Sequence, residues 1–211
     1  MAADRIPRWS RRLERALWSL GIGCLSWCGA VGADSWHFQR AERARLEATA
    51  LVGASAGSTV GRSDRTAAPG RGEAFAILDI PRLGVSVVVA DGDDARVLRV
   101  AVGHVPGTPW PWEGGNSALA GHRDTFFRPL ERIRVGDTLR MVTPRGDLLY
   151  TVRRTLVVRP EETWVLGATR LPTLTLVTCY PFSFVGRAPR RFVVQAQRAD
   201  SYDSLTSKHI D

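Results

Sequence analysis

The chain has 211 residues, enough for one domain of ordinary size with a real core plus an appendage, and too few for a second full domain. Its formal net charge of +8 is nearly all arginine, since Lys208 is the only lysine, and no run of basic residues interleaved with aromatics occurs, which argues against nucleic acid as a partner. The three cysteines, Cys24, Cys28 and Cys179, supply neither a disulfide framework nor a paired zinc pattern.

Residues 1–15 form a basic N-terminus carrying Arg5, Arg8, Arg11, Arg12 and Arg15. Residues 16–33, ALWSLGIGCLSWCGAVGA, hold no charge. A helix over them covers roughly 27 Å, close to the thickness of a bilayer core, which predicts a transmembrane anchor. Arginines ahead of the span predict a single-pass protein of the cytoplasmic membrane, with the N-terminus in the cytoplasm and the rest on the extracytoplasmic side. Trp9 and Trp36 flank the span where the two interfaces would lie. Val31 and Ala33 also fit a signal-peptide cleavage site, but the apolar stretch is longer than most signal cores, which favours an uncleaved anchor. The residues GIG before Cys24 lack the leucine of a lipoprotein site. Cys24 and Cys28 share one helix face as small packing residues.

Residues 34–51 are rich in Ala, Glu, Arg and Leu and predict a juxtamembrane helix, either an extension of the span or a second element. From 52 to 72 the chain is dominated by small and turn-forming residues, the composition of a flexible linker. The folded domain is expected over 73–199, with a polar tail over 200–211.

Within that domain the pattern is mostly β. FAILDI, VSVVVA, NSALAGH, DTLRMVT, LLYTVRRTLVV, LTLVTC and RFVVQAQ are β-branched runs separated by Gly, Pro and Asp turns. Short helices are expected at 93–100, with Asp93 as a cap, and around 125–133. Seven or eight strands at this spacing imply an all-β sandwich or a closed barrel, between which the spacing does not choose.

Cys179 and His122 each end an apolar strand, so an imidazole and a thiol far apart in sequence can meet at the mouth of a β-structure. An imidazolium nearby favours the thiolate, the nucleophilic form of cysteine. If the strands ending at Cys179 and beginning at RFVVQAQ pair around the intervening loop, an arginine stands beside the thiol and can donate to a developing oxyanion. Alternation allows only one of Arg190 and Arg191 to face that side.

GHRDTFFRPL, TLVTCYPF and VGRAPRRFVV strongly resemble the sortases, cysteine transpeptidases of bacterial surfaces, and look closest to the class D branch. The resemblance covers about residues 73–199 in consistent order and includes ILDIPRLGVSVVV and GHVPGTPWPWEGGNSALAGHRD. It implies an all-β, eight-stranded barrel with short helices behind a transmembrane helix, and chemistry that uses no metal or organic cofactor. It makes Cys179 the nucleophile, His122 the general acid and base, and Arg191 the oxyanion or substrate-positioning residue, with Arg190 in reserve. The implied partners are an exported protein with a C-terminal sorting motif of the LPxTG type, cut after its threonine, and an amine acceptor from a cell-wall peptide or a protein lysine.

Beside these, Thr178 and Asp124 are candidates for substrate binding and histidine orientation, against a β-favouring residue and a helix N-cap as the plainer readings. His104 either holds a loop or lines the substrate groove. Trp110 and Trp112 either pack a loop on the barrel or wall that groove. Two rivals stand against the transpeptidase: a cysteine hydrolase on the same scaffold, and a tethered barrel that only binds a partner.

Overall fold

A computed structural model describes residues 8–55, 68–184 and 186–199. The first seven residues, most of the expected linker and the 200–211 tail lie outside the described residues.

No proline interrupts the chain between Arg8 and Ser55, and this stretch forms one helix, α1 (Arg8–Ser55), of 48 residues and about 72 Å. Residues 34–51 therefore continue the helix of the apolar stretch rather than form a second element. Residues 52–55, expected in the linker, are helical. Leu17, Trp18, Leu20, Ile22, Leu25 and Trp27 are all exposed, so the first half of α1 presents apolar side chains around its circumference, and by length and composition the helix can cross a membrane.

Eight strands and one α-helix follow among the described residues: β1 (Ala74–Ile80), β2 (Val85–Asp91), α2 (Ala95–Val100), β3 (Val102–His104), β4 (Asn116–Ala120), β5 (Thr138–Thr143), β6 (Gly146–Val158), β7 (Thr173–Tyr180) and β8 (Arg190–Arg198). The strands close into a barrel in the order β1-β2-β3-β4-β7-β8-β6-β5. Closure decides between sandwich and barrel, and it leaves no sheet edge for stray pairing. Alternate residues of each strand point inward, where Leu78, Leu119, Leu139, Met141, Leu174, Leu176 and Val194 fill the core.

Three local expectations change. The three-residue β3 has no counterpart among the apolar runs of the sequence, being short and interrupted by Gly103. That glycine is required: a Cβ there would stand 2.1 Å from the Gly92 carbonyl oxygen. Helix α2 is capped by Asp94 rather than Asp93, its carboxylate accepting from the Arg96 and Val97 N–H groups at 2.9 and 3.2 Å. Around 125–133 the chain forms only a short 3-10 helix, Arg128–Arg132, with Pro129 in its first turn.

The second half of α1 docks on the barrel. Phe38 and Leu46 pack with Ala74, Ile77 and Val88, while the Gln39 amide donates to the Val100 carbonyl at 2.7 Å and accepts from the Val88 N–H at 2.9 Å. In the closed ring β1 and β7 stand four places apart in either direction, so the strand ending in Cys179 lies across the barrel from the helix.

One ion pair ties the turns at one end of the barrel. The Arg82 guanidinium binds both carboxylate oxygens of Asp137 and donates to the Arg132 carbonyl at 2.6 Å. Hydrogen bonding from Arg82 holds the Asp137 carboxyl below its ordinary value, the Arg134 N–H assisting and burial opposing. A carboxylate so depressed stabilises the fold fully above its unfolded pKa of about 3.9, and that contribution disappears as pH falls through the lower folded value. Arg82→Ala is therefore expected to move the acid-unfolding midpoint to higher pH, read by circular dichroism.

Candidate active site

Register places the candidate residues. β7 and β8 are antiparallel, with Val177 opposite Val193, Thr178 opposite Phe192, Cys179 opposite Arg191 and Tyr180 opposite Arg190. Leu174, Leu176, Val194 and Ala196 point into the core, whereas Val177 and Val193 belong to a separate apolar cluster on the outer face. By alternation Cys179 and Arg191 share that outer face as a directly opposed pair, and Arg190 falls on the other side with Tyr180. Cys179 is a free thiol and half-buried at the strand's end. The Arg191 Nη1 donates to the Ala188 and Arg190 carbonyls at 3.2 and 3.1 Å, which holds its guanidinium at the rim.

His122 arrives from the other neighbour of β7. β4 and β7 run parallel, with Leu119 beside Leu176 and Ala120 beside Val177. Continuing that register two places sets His122 level with Cys179. Hydrogen bonds extend the pairing past the last strand residue: the Gly121 N–H donates to the Val177 carbonyl at 3.1 Å, and the Thr178 hydroxyl donates to the Gly121 carbonyl at 2.7 Å. The turn then closes back on itself, the Phe127 N–H donating to the His122 carbonyl at 3.1 Å. Gly121 leaves room for the Phe127 ring, which a Cβ would meet at 2.7 Å. His122 itself is exposed.

Arg123, which the sequence reading passed over, ties these parts together. Although only 6 % exposed, its guanidinium donates to the carbonyls of Pro181 at 3.0 Å, Phe184, and Gly186 at 3.1 Å, and meets the Asp124 carboxylate at 3.3 Å. The Arg128 guanidinium adds a bond to the Phe182 carbonyl. Two arginines from the His122 turn thus clamp the loop that leads from Cys179 toward Arg191. Nothing local marks Arg123 as buried, since its partners are backbone oxygens some 60 residues away. Removing its side chain is expected to cost about 1–3 kcal/mol, because three part-buried hydrogen bonds lose their charged donor. In Arg123→Ala the backbone of 181–184 should exchange hydrogen faster while the barrel strands remain protected; exchange unchanged in that loop would refute the clamp.

The remaining candidates fall elsewhere. Thr178 is 3 % exposed and faces the Gly121 carbonyl, so it fastens the histidine turn from inside rather than meeting a ligand. Asp124 is exposed, pairs with Arg123 and caps no helix. His104 is 2 % exposed, with ring nitrogens at 3.4 Å from Asp91 and 3.2 Å from both Thr108 and the Pro109 carbonyl. Its ring stacks on Trp110 at 4.3 Å, and Trp110 stacks on Trp112 at 5.4 Å. Of its two readings, the loop-holding one fits. The tryptophans likewise pack against the barrel core.

The connection from β6 to β7 straps the same outer face. Asn116 donates to the Val165 and Gly167 carbonyls at 3.0 Å each, and Gln195 donates to the Val165 carbonyl at 2.9 Å. Thr175 completes the buried network by donating to Asn116 at 2.6 Å. By register, half-buried Cys179 and Arg191 and exposed His122 stand level on β7 and its two neighbours. A thiol, an imidazole and a guanidinium are the groups needed for acyl transfer. Among the described residues no cluster of three or more metal-ligating side chains occurs.

The family model of the sortase domain matches residues 78–199. Sortase D of Bacillus subtilis (strain 168) is 37 % identical over 131 residues, covering 62 % of this chain and 66 % of the relative, just under two thirds of its length. Among solved structures, the Clostridium perfringens Sortase D5 transpeptidase superposes with a TM-score of 0.63 at 28 % identity, over 74 % of this chain and 97 % of that one. A C. perfringens sortase C solved with the C-terminal cell wall sorting motif gives 0.57 at 27 % identity, over 62 % and 73 % of the two chains.

Proposed function

The chain belongs to the sortase family, and from that membership we propose that it is a membrane-anchored cysteine transpeptidase that cuts an LPxTG-like sorting motif and passes the acyl group to an amine at the cell envelope. The reading rests above all on the direct cross-strand opposition of Cys179 and Arg191, with His122 in register on the other side of β7.

The Cys179 thiolate attacks the carbonyl carbon of the motif's threonine, and the electron pair of the C=O moves on to oxygen. Arg191 donates to that oxyanion. As the tetrahedral intermediate collapses, the C–N bond breaks and His122 gives its proton to the leaving amine, which leaves a thioester on Cys179. An incoming amine then attacks the thioester, His122 takes a proton from it, and the thiolate departs. Water in place of the amine would make the site a slow protease. Arg123 and Thr178 act indirectly, by holding the loop after Cys179 and the turn carrying His122.

The apolar half of α1 supports a single-pass anchor, with the arginines before it retained in the cytoplasm and the barrel outside. Docking of α1 begins at the Asp34–Arg99 pair, immediately after the span, so the barrel is held close to the membrane. Its Cys179 strand lies on the side away from the helix, where exported proteins have access.

A time course with a reporter peptide carrying the motif tests this reading. Added amine should divert product from hydrolysis to ligation, and mass spectrometry should find the acyl fragment on Cys179. Cleavage without ligated product at any amine concentration would leave a hydrolase. Absence of both cleavage and adduct would leave a tethered binding barrel.

A further inference from the structure

Beyond the strap, on the outer face of β6, β8 and the start of β7, lies a cavity of about 390 Å³ that acyl transfer does not use. Arg153 and Arg154 of β6 and Arg170 of the strap line it, over a floor of Thr173, Gln195 and Gln197. Consecutive residues of a regular strand point to opposite faces, but β6 breaks register between Val152 and Arg154. The extra residue of this bulge is Arg153, and the bulge lets two adjacent arginines open on to one cavity.

The guanidiniums of Arg154 and Arg170 are held ready rather than neutralised. Arg154 donates from Nε to the Gln195 side-chain oxygen at 2.7 Å, and Gln195 is 7 % exposed and fixed in turn by the Val165 carbonyl. This orients the Arg154 fork and leaves its two Nη groups without a partner among the described residues. Arg170 is exposed and its side chain has no ion pair or hydrogen bond among those residues. Among the described residues no Asp or Glu lines the cavity. By contrast Arg71, Arg82 and Arg140 are matched with Asp94, Asp137 and Asp147.

We propose that this cavity binds a peptide segment carrying two or more carboxylates. Guanidinium forks match carboxylates through paired hydrogen bonds. The amides of the glutamines and the threonine hydroxyl suit a peptide backbone. Sites built for phosphate commonly use backbone N–H groups of a glycine-rich nest or a helix N-terminus, and neither lines this cavity. Thr173 lies six residues before Cys179 on the same face of β7, roughly 20 Å away at the rise of a strand, within reach of residues flanking a bound sorting motif. That placement alone rests on the transpeptidase reading; the binding does not.

The test uses the full chain in nonionic detergent with Cys179→Ala, so that binding is read without turnover. A fluorescein-labelled hexapeptide with two glutamates is titrated by anisotropy against its glutamine counterpart. The glutamate peptide should bind at least about tenfold more tightly, and Arg154→Gln with Arg170→Gln should erase the difference while the melting curve stays in place. Arg96→Gln with Arg134→Gln removes equal charge elsewhere and should leave it intact. Equal binding of the two peptides, or equal loss in both double variants, overturns the site. Displacement of the peptide by inorganic phosphate, where chloride at the same ionic strength does not displace it, overturns the peptide assignment in favour of a phosphate ligand. Failure of ligation or of the thioester in the parent chain would refute the transpeptidase reading and leave this result untouched.

Discussion

Cys179→Ala is expected to abolish both cleavage and ligation of a motif peptide, with a loss on the order of 10⁴-fold or more, as removal of a covalent nucleophile produces elsewhere. The reason is specific to the two-stage reaction proposed above: without sulfur that scheme forms no thioester, so neither water nor amine has an intermediate to attack. Folding should be little affected, because the thiol is half-buried at the end of β7 and its neighbours Thr178 and Tyr180 carry the packing on the inner face. The melting temperature should move by no more than a degree or two, in keeping with a substitution outside the core. Rate and melting curve together make the result decisive. Full ligation by the alanine variant would remove the thiol from the mechanism.

Arg191→Ala should lower turnover by about 10²–10³-fold, the usual cost of losing one donor to a developing oxyanion, while Arg190→Ala should change it only a few-fold. The distinction follows from the register of β7 and β8, which opposes Arg191 to Cys179 and Arg190 to Tyr180. Arg191→Lys should recover only part of the loss, since an ammonium keeps the charge but lacks the planar fork. If the fall lies in kcat with KM nearly unchanged, Arg191 acts on the transition state; a fall confined to KM would make it a substrate anchor. A large loss in Arg190→Ala with none in Arg191→Ala would reverse the assignment.

The separate placements of these neighbours show how far a linear reading carries. Alternation restricted the choice to one arginine, and the family resemblance favoured Arg191. Which one opposes the thiol depends on how many residues the loop from Pro181 to Pro189 uses before β8 begins, a property of the folded hairpin. His104 shows the opposite case. An isolated histidine in a glycine- and proline-rich segment could hold a loop or line a groove, and the choice falls to the loop because β3, a strand too short to leave a pattern, turns the ring inward to stack on Trp110. Arg123 was illegible for a third reason. Its burial comes from three carbonyls of a distant loop, and backbone oxygens have no sequence signature.

Sequence alone determined what short-range chemistry controls: an uncharged helical span behind arginines, β-branched runs between turn residues, and a thiol and an imidazole each set at a strand's end. Those signals are local because they arise from hydropathy, backbone propensity and residue type. Only the tertiary structure decided closure of eight strands into a ring, docking of the N-terminal helix on the face opposite β7, and the placing of Cys179, His122 and Arg191 level with one another on β7 and its two neighbours. Each of these depends on the register between segments far apart in the chain. A shift of one residue there would turn every side chain to the other face.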